Sequence, residues 1–147
     1  MAGERRDTRP RLRIGMERVA DLPPKALVDA AAESVLLALG SRGLGSLQGF
    51  LLGSVSLPVI AHASAPVAVV HEPDEPAPAE AGPVVTGLGH HDPHDPLLGC
   101  AFEAAADARL LVVGRREDRP LPGTRIGPVT HGVLHHARCP VAVVPAG

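Results

Sequence analysis

The chain has 147 residues, 45% of them apolar, and a formal net charge of -2. That balance offers nothing to draw nucleic acid, which needs a basic stripe or patch, and no apolar run approaches the ~20 residues of a membrane span. Aromatics are nearly absent, with Phe50 and Phe102 but no Trp or Tyr, so the core must come from Val, Leu, Ile and Ala, which suits a parallel sheet covered by helices.

In chain order, the opening MAGERRDTRPRLR is charged and lacks the apolar stretch of a signal peptide, so a cytoplasmic location is expected. Leu12, Ile14 and Met16 alternate with Arg13, Gly15 and Glu17, the pattern of a half-exposed edge strand. Pro23-Pro24 opens a helix expected to run through Glu33. Val35–Leu39 is a continuous apolar run ended by Gly40, a strand. Val55, Val59 and Ile60 space as a helix stripe. Pro58 lies inside it, and an interior proline costs about 3 kcal/mol. The helix after Gly53 is therefore expected to bend at Pro58 or to start late. Pro66 then leads a β-branched strand, Val67–Val70.

Residues 71–82, HEPDEPAPAEAG, read as a semi-extended linker between a first part, 1–70, and a second, 83–147. In the second part Val84–Leu88 reads as a strand, and Asp95-Pro96 is a good cap and first position for a helix to about Ala106. Leu110–Val113 is a strand ended by Gly114. Ile126, Val129, Val133 and Leu134 mark a helix face, and Val141–Val144 closes the chain as a strand.

These elements repeat. Residues 34–70 and 108–144 align without gaps at an offset of 74, with 16 of 37 pairs identical. The identities include Leu36-Leu37 with Leu110-Leu111, Gly40 with Gly114, Gly53 with Gly127, and the two Pro-Val-Ala-Val-Val endings. Each copy reads as strand, loop, helix, strand, a parallel unit.

The loops carry the chemistry. In the first copy Gly40, Gly43, Gly53 and Ser54 follow the strand at fixed spacing. Glycines let backbone amides curl closely around an anion, and the Ser54 hydroxyl can cap the following helix or bond a phosphate oxygen. In the second copy Gly114 and Gly127 match, but Glu117 replaces the second glycine and Pro128 the serine. Glu117 sets a negative charge where phosphate would sit, and Pro128 removes an N–H donor and the hydroxyl.

The string LALGSRGLGSLQGFLLGSVSLPVIAHASAPVAVV resembles the carboxyl-terminal portion of universal stress protein domains, and GTRIGPVTHGVLHHARCPVAVVP resembles the second domain of their tandem members. The resemblance implies an α/β, Rossmann-like parallel-sheet fold in two truncated repeats. It implies an adenine nucleotide, ATP, as the cofactor, with Gly40, Gly43, Gly53 and Ser54 holding ribose and phosphates and Ser41 and Arg42 in the same loop. The family's adenine-contacting Asp falls on Gly89 in the second part and has no counterpart in the first. The closing strands are implied as a dimerisation edge, giving a homo-oligomer.

Other clusters have plainer readings. His90, His91, Asp92, His94 and Asp95 fit a solvated loop, and His131 and His135 a helix surface, since the first copy has Leu57 and Ala61 at the equivalent positions. No metal is expected. Cys139 matches Ala65 and reads as a small packed residue, while Cys100 and Cys139 are too few for a disulfide framework. No nucleophile–base set or paired carboxylates stand out, so the expectation is a non-catalytic stress-response protein that binds a nucleotide. The alternative is an interaction module with a vestigial site.

Overall fold

A computed structural model describes residues 13–41, 53–71, 82–87, 103, 105, 107–115, 126–137 and 139–145. Its elements are α1 (Pro23–Ala32), β1 (Leu37–Ser41), α2 (Ser56–His62), β2 (Val67–His71), β3 (Val84–Gly87), β4 (Leu110–Gly114), α3 (Pro128–His136) and β5 (Val141–Val144). Glu103 and Ala105 are helical, in keeping with a helix ending near Ala106, while its Asp95-Pro96 start lies outside the described residues.

The five strands make one sheet in the order β1-β2-β5-β4-β3. Within each half the pairing is parallel: β1 with β2, and β3 with β4 with β5. The two halves keep the same internal register, since Leu37 pairs with Val67 and Leu111 with Val141. Each pairing starts from the same bond, Leu37 N–H to the Pro66 carbonyl and Leu111 N–H to the Pro140 carbonyl, both 2.9 Å. The repeat seen in the sequence is thus a repeat of hydrogen bonding.

The halves meet edge to edge. β2 and β5 pair antiparallel, Val67 with Val143, Ala68 with Ala142 and Val69 with Val141. Because Ala68 and Ala142 are themselves equivalent by the offset of 74, the join is an approximate two-fold passing between them. The closing strands, expected as the meeting edge of two chains, therefore pair with each other inside one chain. Both backbone edges of each are occupied, so they offer no edge to a second copy.

Strand periodicity decides the two faces. Leu39, Val67, Val69, Leu111, Val113, Val141 and Val143 point to one face and are buried with Ala31 of α1, Val59 and Ile60 of α2, and Val133 and Leu134 of α3 in a single cluster spanning both halves. The other face carries Ala38, Ala68, Val70, Val84, Val112, Ala142 and Val144. There Val70 is 44% exposed, Val84 48% and Val144 36%. Strands apolar at consecutive positions suit cover on both faces, yet these three side chains remain open to solvent, while Ala68 and Ala142 at the centre of the same face are only 8% and 7% exposed.

Two local strand expectations change, and the expected late helix start holds. Residues 13–20 form no strand, and Met16 is exposed; alternation alone does not secure a sheet position when no ladder partner is offered. The first strand starts at Leu37, with Val35 and Leu36 exposed ahead of it. The helix after Gly53 starts late, at Ser56, with Pro58 in its first turn where no N–H is required. α1 opens on its proline pair as expected and ends at Ala32, where the Ser34 hydroxyl donates to the Ala30 carbonyl.

Candidate functional site

Of the residues singled out in the first half, Gly40, Ser41, Gly53 and Ser54 lie at one end of the sheet. Gly40 and Ser41 end β1, and Gly53 and Ser54 form the turn that leads into α2. A crossover from β1 through α2 to β2 brings that strand end and that turn to the same end of the sheet. Gly40, Gly53 and Ser54 are exposed, and a Cβ placed on either glycine would meet no atom within 4 Å. Arg42 and Gly43 lie outside the described residues.

Ser54 does not cap the helix. The position before α2 is Val55, and no side chain bonds there. Instead the Ser56 N–H donates to the Gly53 carbonyl at 3.1 Å, closing a separate turn around Ser54. Its hydroxyl is therefore left to solvent or to a ligand. The open backbone at Gly40 and Gly53 and this exposed hydroxyl fit a phosphate group, which needs close approach and hydrogen-bond donors.

Because β2 and β5 are antiparallel, the equivalent end of the second half points the opposite way. Gly114 ends β4 and Gly127 precedes α3, again with open space where a Cβ would stand. α3 begins directly at Pro128, and Thr130 fastens it by donating from its hydroxyl to the Gly114 carbonyl at 3.1 Å. Glu117 is outside the described residues.

Arg115 is the residue that sequence reading missed. It follows Gly114, at the position equivalent to Ser41, and would ordinarily be taken for a loop arginine. It is only 9% exposed. Its Nη1 donates to the Ile60 carbonyl at 3.0 Å and to the Ala63 carbonyl at 2.7 Å. Both acceptors belong to the last turn and end of α2, in the other half. The antiparallel join makes this reach possible, because it puts the carboxyl end of β4 at the same end of the sheet as the amino end of β2, with β5 between them. The only hint in the sequence is a charge directly after a fully apolar strand.

The remaining polar clusters are less organised. The His131 and His135 rings stack at 4.4 Å, tilted by 44°, and the His62 ring nitrogen Nδ1 bonds the Pro58 carbonyl within its own helix. Among the described residues no three His, Cys, Asp or Glu side chains come together in a way that could hold a metal ion; the stretch from His90 to Asp95 is outside them. Cys139 is buried at the start of β5, and burial pushes its thiol above the ordinary thiol range. Among the described residues no helix is long and apolar enough to cross a membrane.

A strand–helix–strand unit with parallel pairing, present twice in one sheet, defines a class, and comparison with known proteins agrees. The profile of the universal stress protein family matches twice, over residues 8–71 and 74–145. The chain belongs to the universal stress protein family, in a tandem arrangement. Among similar proteins are Universal stress protein Rv1996 of Mycobacterium tuberculosis, 40% identical over 81 residues, and Universal stress protein Rv2005c of the same species, 33% identical over 97. The first alignment covers 55% of this chain and 24% of the relative, the second 65% and 33%. The chain thus spans about a quarter to a third of these relatives' length. A solved universal stress protein structure from Archaeoglobus fulgidus superposes with a TM-score of 0.64 at 16% identity, covering 91% of this chain and 72% of that one. That likeness establishes the fold.

Proposed function

We propose that the chain is a non-catalytic, cytoplasmic stress-response protein that binds an adenine nucleotide, ATP, through the loop from Gly40 to Ser54. Gly40, Ser41, Arg42, Gly43, Gly53 and Ser54 are the contacts. The observation that carries the reading is the open backbone at Gly40 and Gly53, both exposed at one end of the sheet beside the uncapped Ser54 hydroxyl. Family membership supplies the ligand class. Arg42 provides the charge for the phosphates, and the second half, with Glu117 and Pro128 in its loop, takes no nucleotide. Calorimetry of the purified chain with ATP and with AMP tests this. Saturable binding of ATP at one site per chain supports it; flat titrations with both nucleotides overturn it, and phosphate release faster than in buffer overturns the non-catalytic part.

A second reading is favoured by the open face of the sheet. Val70, Val84 and Val144 stand exposed on a surface to which no described strand contributes a charged residue. A face whose described strands are uncharged, with an approximate two-fold at Ala68 and Ala142 (themselves only 8% and 7% exposed) and exposed valines around them, matches a second copy of itself. In this reading the chain is a self-associating module with a vestigial nucleotide site. Strands ~4.8 Å apart and ~3.3 Å per residue give a five-stranded face four residues deep a footprint of roughly 300 Å². Two such footprints fall below the ~1,200 Å² of the smallest standard interfaces, so the association is weak and reversible. Sedimentation across the micromolar range tests it, and a monomer at every concentration overturns it.

A further inference from the structure

We propose that Arg115 is a positioning residue, by which the second half holds α2 and, through that helix, the Gly53–Ser54 turn of the first half. The inference rests on the nucleotide reading above for its ligand, but its geometry stands alone. α2 has only seven residues and no side-chain cap at its start. Isolated helices so short are marginal, because few backbone bonds repay nucleation. Its carboxyl end is held by a buried guanidinium that comes from the other half of the chain, with Nη1 at 3.0 Å from the Ile60 carbonyl and 2.7 Å from the Ala63 carbonyl. Positive charge is also favoured at that end by the helix dipole.

Among the described residues the first half shows no equivalent bond. The residue equivalent to Arg115 is Ser41, whose side chain is four heavy-atom bonds shorter of reach than an arginine and carries no charge. α3 is fastened differently, by Thr130 onto Gly114 of its own half. Among the described residues the clamp therefore runs from the half with the altered loop to the half with the complete one. α2 is about 10 Å long at 1.5 Å per residue. A fixed carboxyl end therefore sets the place of its amino end, and with it the turn in which Ser56 N–H bonds the Gly53 carbonyl.

The test compares Arg115→Met and Arg115→Lys with the unaltered chain, by amide hydrogen exchange in NMR and by ATP calorimetry. Three amides report: Ala63, bonded to the Val59 carbonyl; Ser56, bonded to Gly53; and Ala137, bonded to Val133 in α3 as the control. Expected in Arg115→Met is exchange about tenfold faster at Ala63 and Ser56, the scale of a lost charged hydrogen bond, with Ala137 little changed. The ATP dissociation constant should rise in step, and Arg115→Lys, which keeps the charge, should recover part of each effect. Unchanged exchange at Ala63, or a loosened Ala63 with an unchanged Ser56, overturns the proposal. So does equal loss of protection at all three amides in both variants, which marks a global stabiliser. So does ATP affinity that stays constant while Ser56 loosens. If the unaltered chain binds no ATP, the nucleotide reading falls by itself, and the Ser56 amide still decides whether Arg115 positions the turn.

Discussion

The antiparallel join between β2 and β5 makes a quantitative prediction. Val69 and Val141 stand opposite each other across it, and both are fully buried. Val→Ala at either removes two carbons, worth about 1.6 kcal/mol at ~0.8 kcal/mol per methylene. The void left behind, about 50 Å³ at ~24 cal/mol per Å³, adds roughly 1 kcal/mol where the surroundings cannot collapse. Each single variant should therefore lose about 2–3 kcal/mol. Because the two side chains are direct cross-strand neighbours, the double variant should depart from additivity by about 0.5–1 kcal/mol. Urea unfolding followed by far-ultraviolet circular dichroism is the assay, since the chain has no Trp or Tyr for fluorescence. One cooperative transition is expected in all four proteins of the cycle. Two separate transitions, or a double variant additive to within about 0.3 kcal/mol, would refute a core shared across the join.

Three further outcomes follow from individual positions. Gly43→Glu, which installs the charge that the second loop carries at Glu117, should abolish ATP binding, whereas Gly114→Ala, with nothing near its Cβ position, should leave binding unchanged; calorimetry giving the reverse pattern would move the site to the second half. Gly82→Ala should cost about 2 kcal/mol in thermal unfolding, because a Cβ there runs into the Asp107 backbone carbonyl and approaches the Arg109 nitrogen at 3.3 Å. Val70→Lys should remove any concentration dependence in sedimentation while changing stability by no more than about 0.5 kcal/mol, since it sits on the open face and not in the core.

The elements that the sequence announced are those whose signals are local. Val141–Val144 and Leu110–Gly114 are bounded by Pro or Gly, and a proline pair opens α1. The delayed start of α2 was legible because a missing N–H has one local consequence. The 74-residue offset was legible too, and it reappears as a shared register. What was not legible is long-range. Nothing in the Val-Ala-Val-Val segments says that their free edges will find each other within one chain rather than in a second. The alternation at Leu12–Glu17 looked like an edge strand, yet strand formation there depends on a partner edge that residues 13–20 do not take up. Arg115 was invisible for the same reason, as its partners at Ile60 and Ala63 are 55 and 52 residues away. At the candidate site, the glycines and Ser54 were read from spacing, and of these Gly40, Gly53 and Ser54 lie at one end of the sheet. Of the two roles open to Ser54, capping the helix is not taken up, because α2 starts past it at Ser56 with Pro58 in its first turn.

That displacement allows a last test of how the loop works. In α3 the equivalent of Pro58 is Gly132, which keeps its N–H, and α3 begins at Pro128, the equivalent of Ser54. α2 begins two residues later in the repeat, at Ser56. The difference has a direct cause: were α2 to start at Ser54, residue 58 would owe a hydrogen bond to the Ser54 carbonyl, and proline has no hydrogen to give. Pro58→Ala restores that donor. The helix should then extend back to Ser54, replacing the turn bond from Ser56 to Gly53 with regular helical bonds. Backbone chemical shifts at Ser54 and Val55 should move to helical values. ATP binding should weaken, because Ser54 would pass from an exposed turn into the first turn of a helix. Stability should change by less than about 1 kcal/mol, the gained hydrogen bond being offset by the freer unfolded chain that loses its proline. If the helix start stays at Ser56 in Pro58→Ala, then packing, not the missing donor, sets the loop, and the conformation of Gly53–Ser54 must be ascribed to what holds the far end of α2 instead.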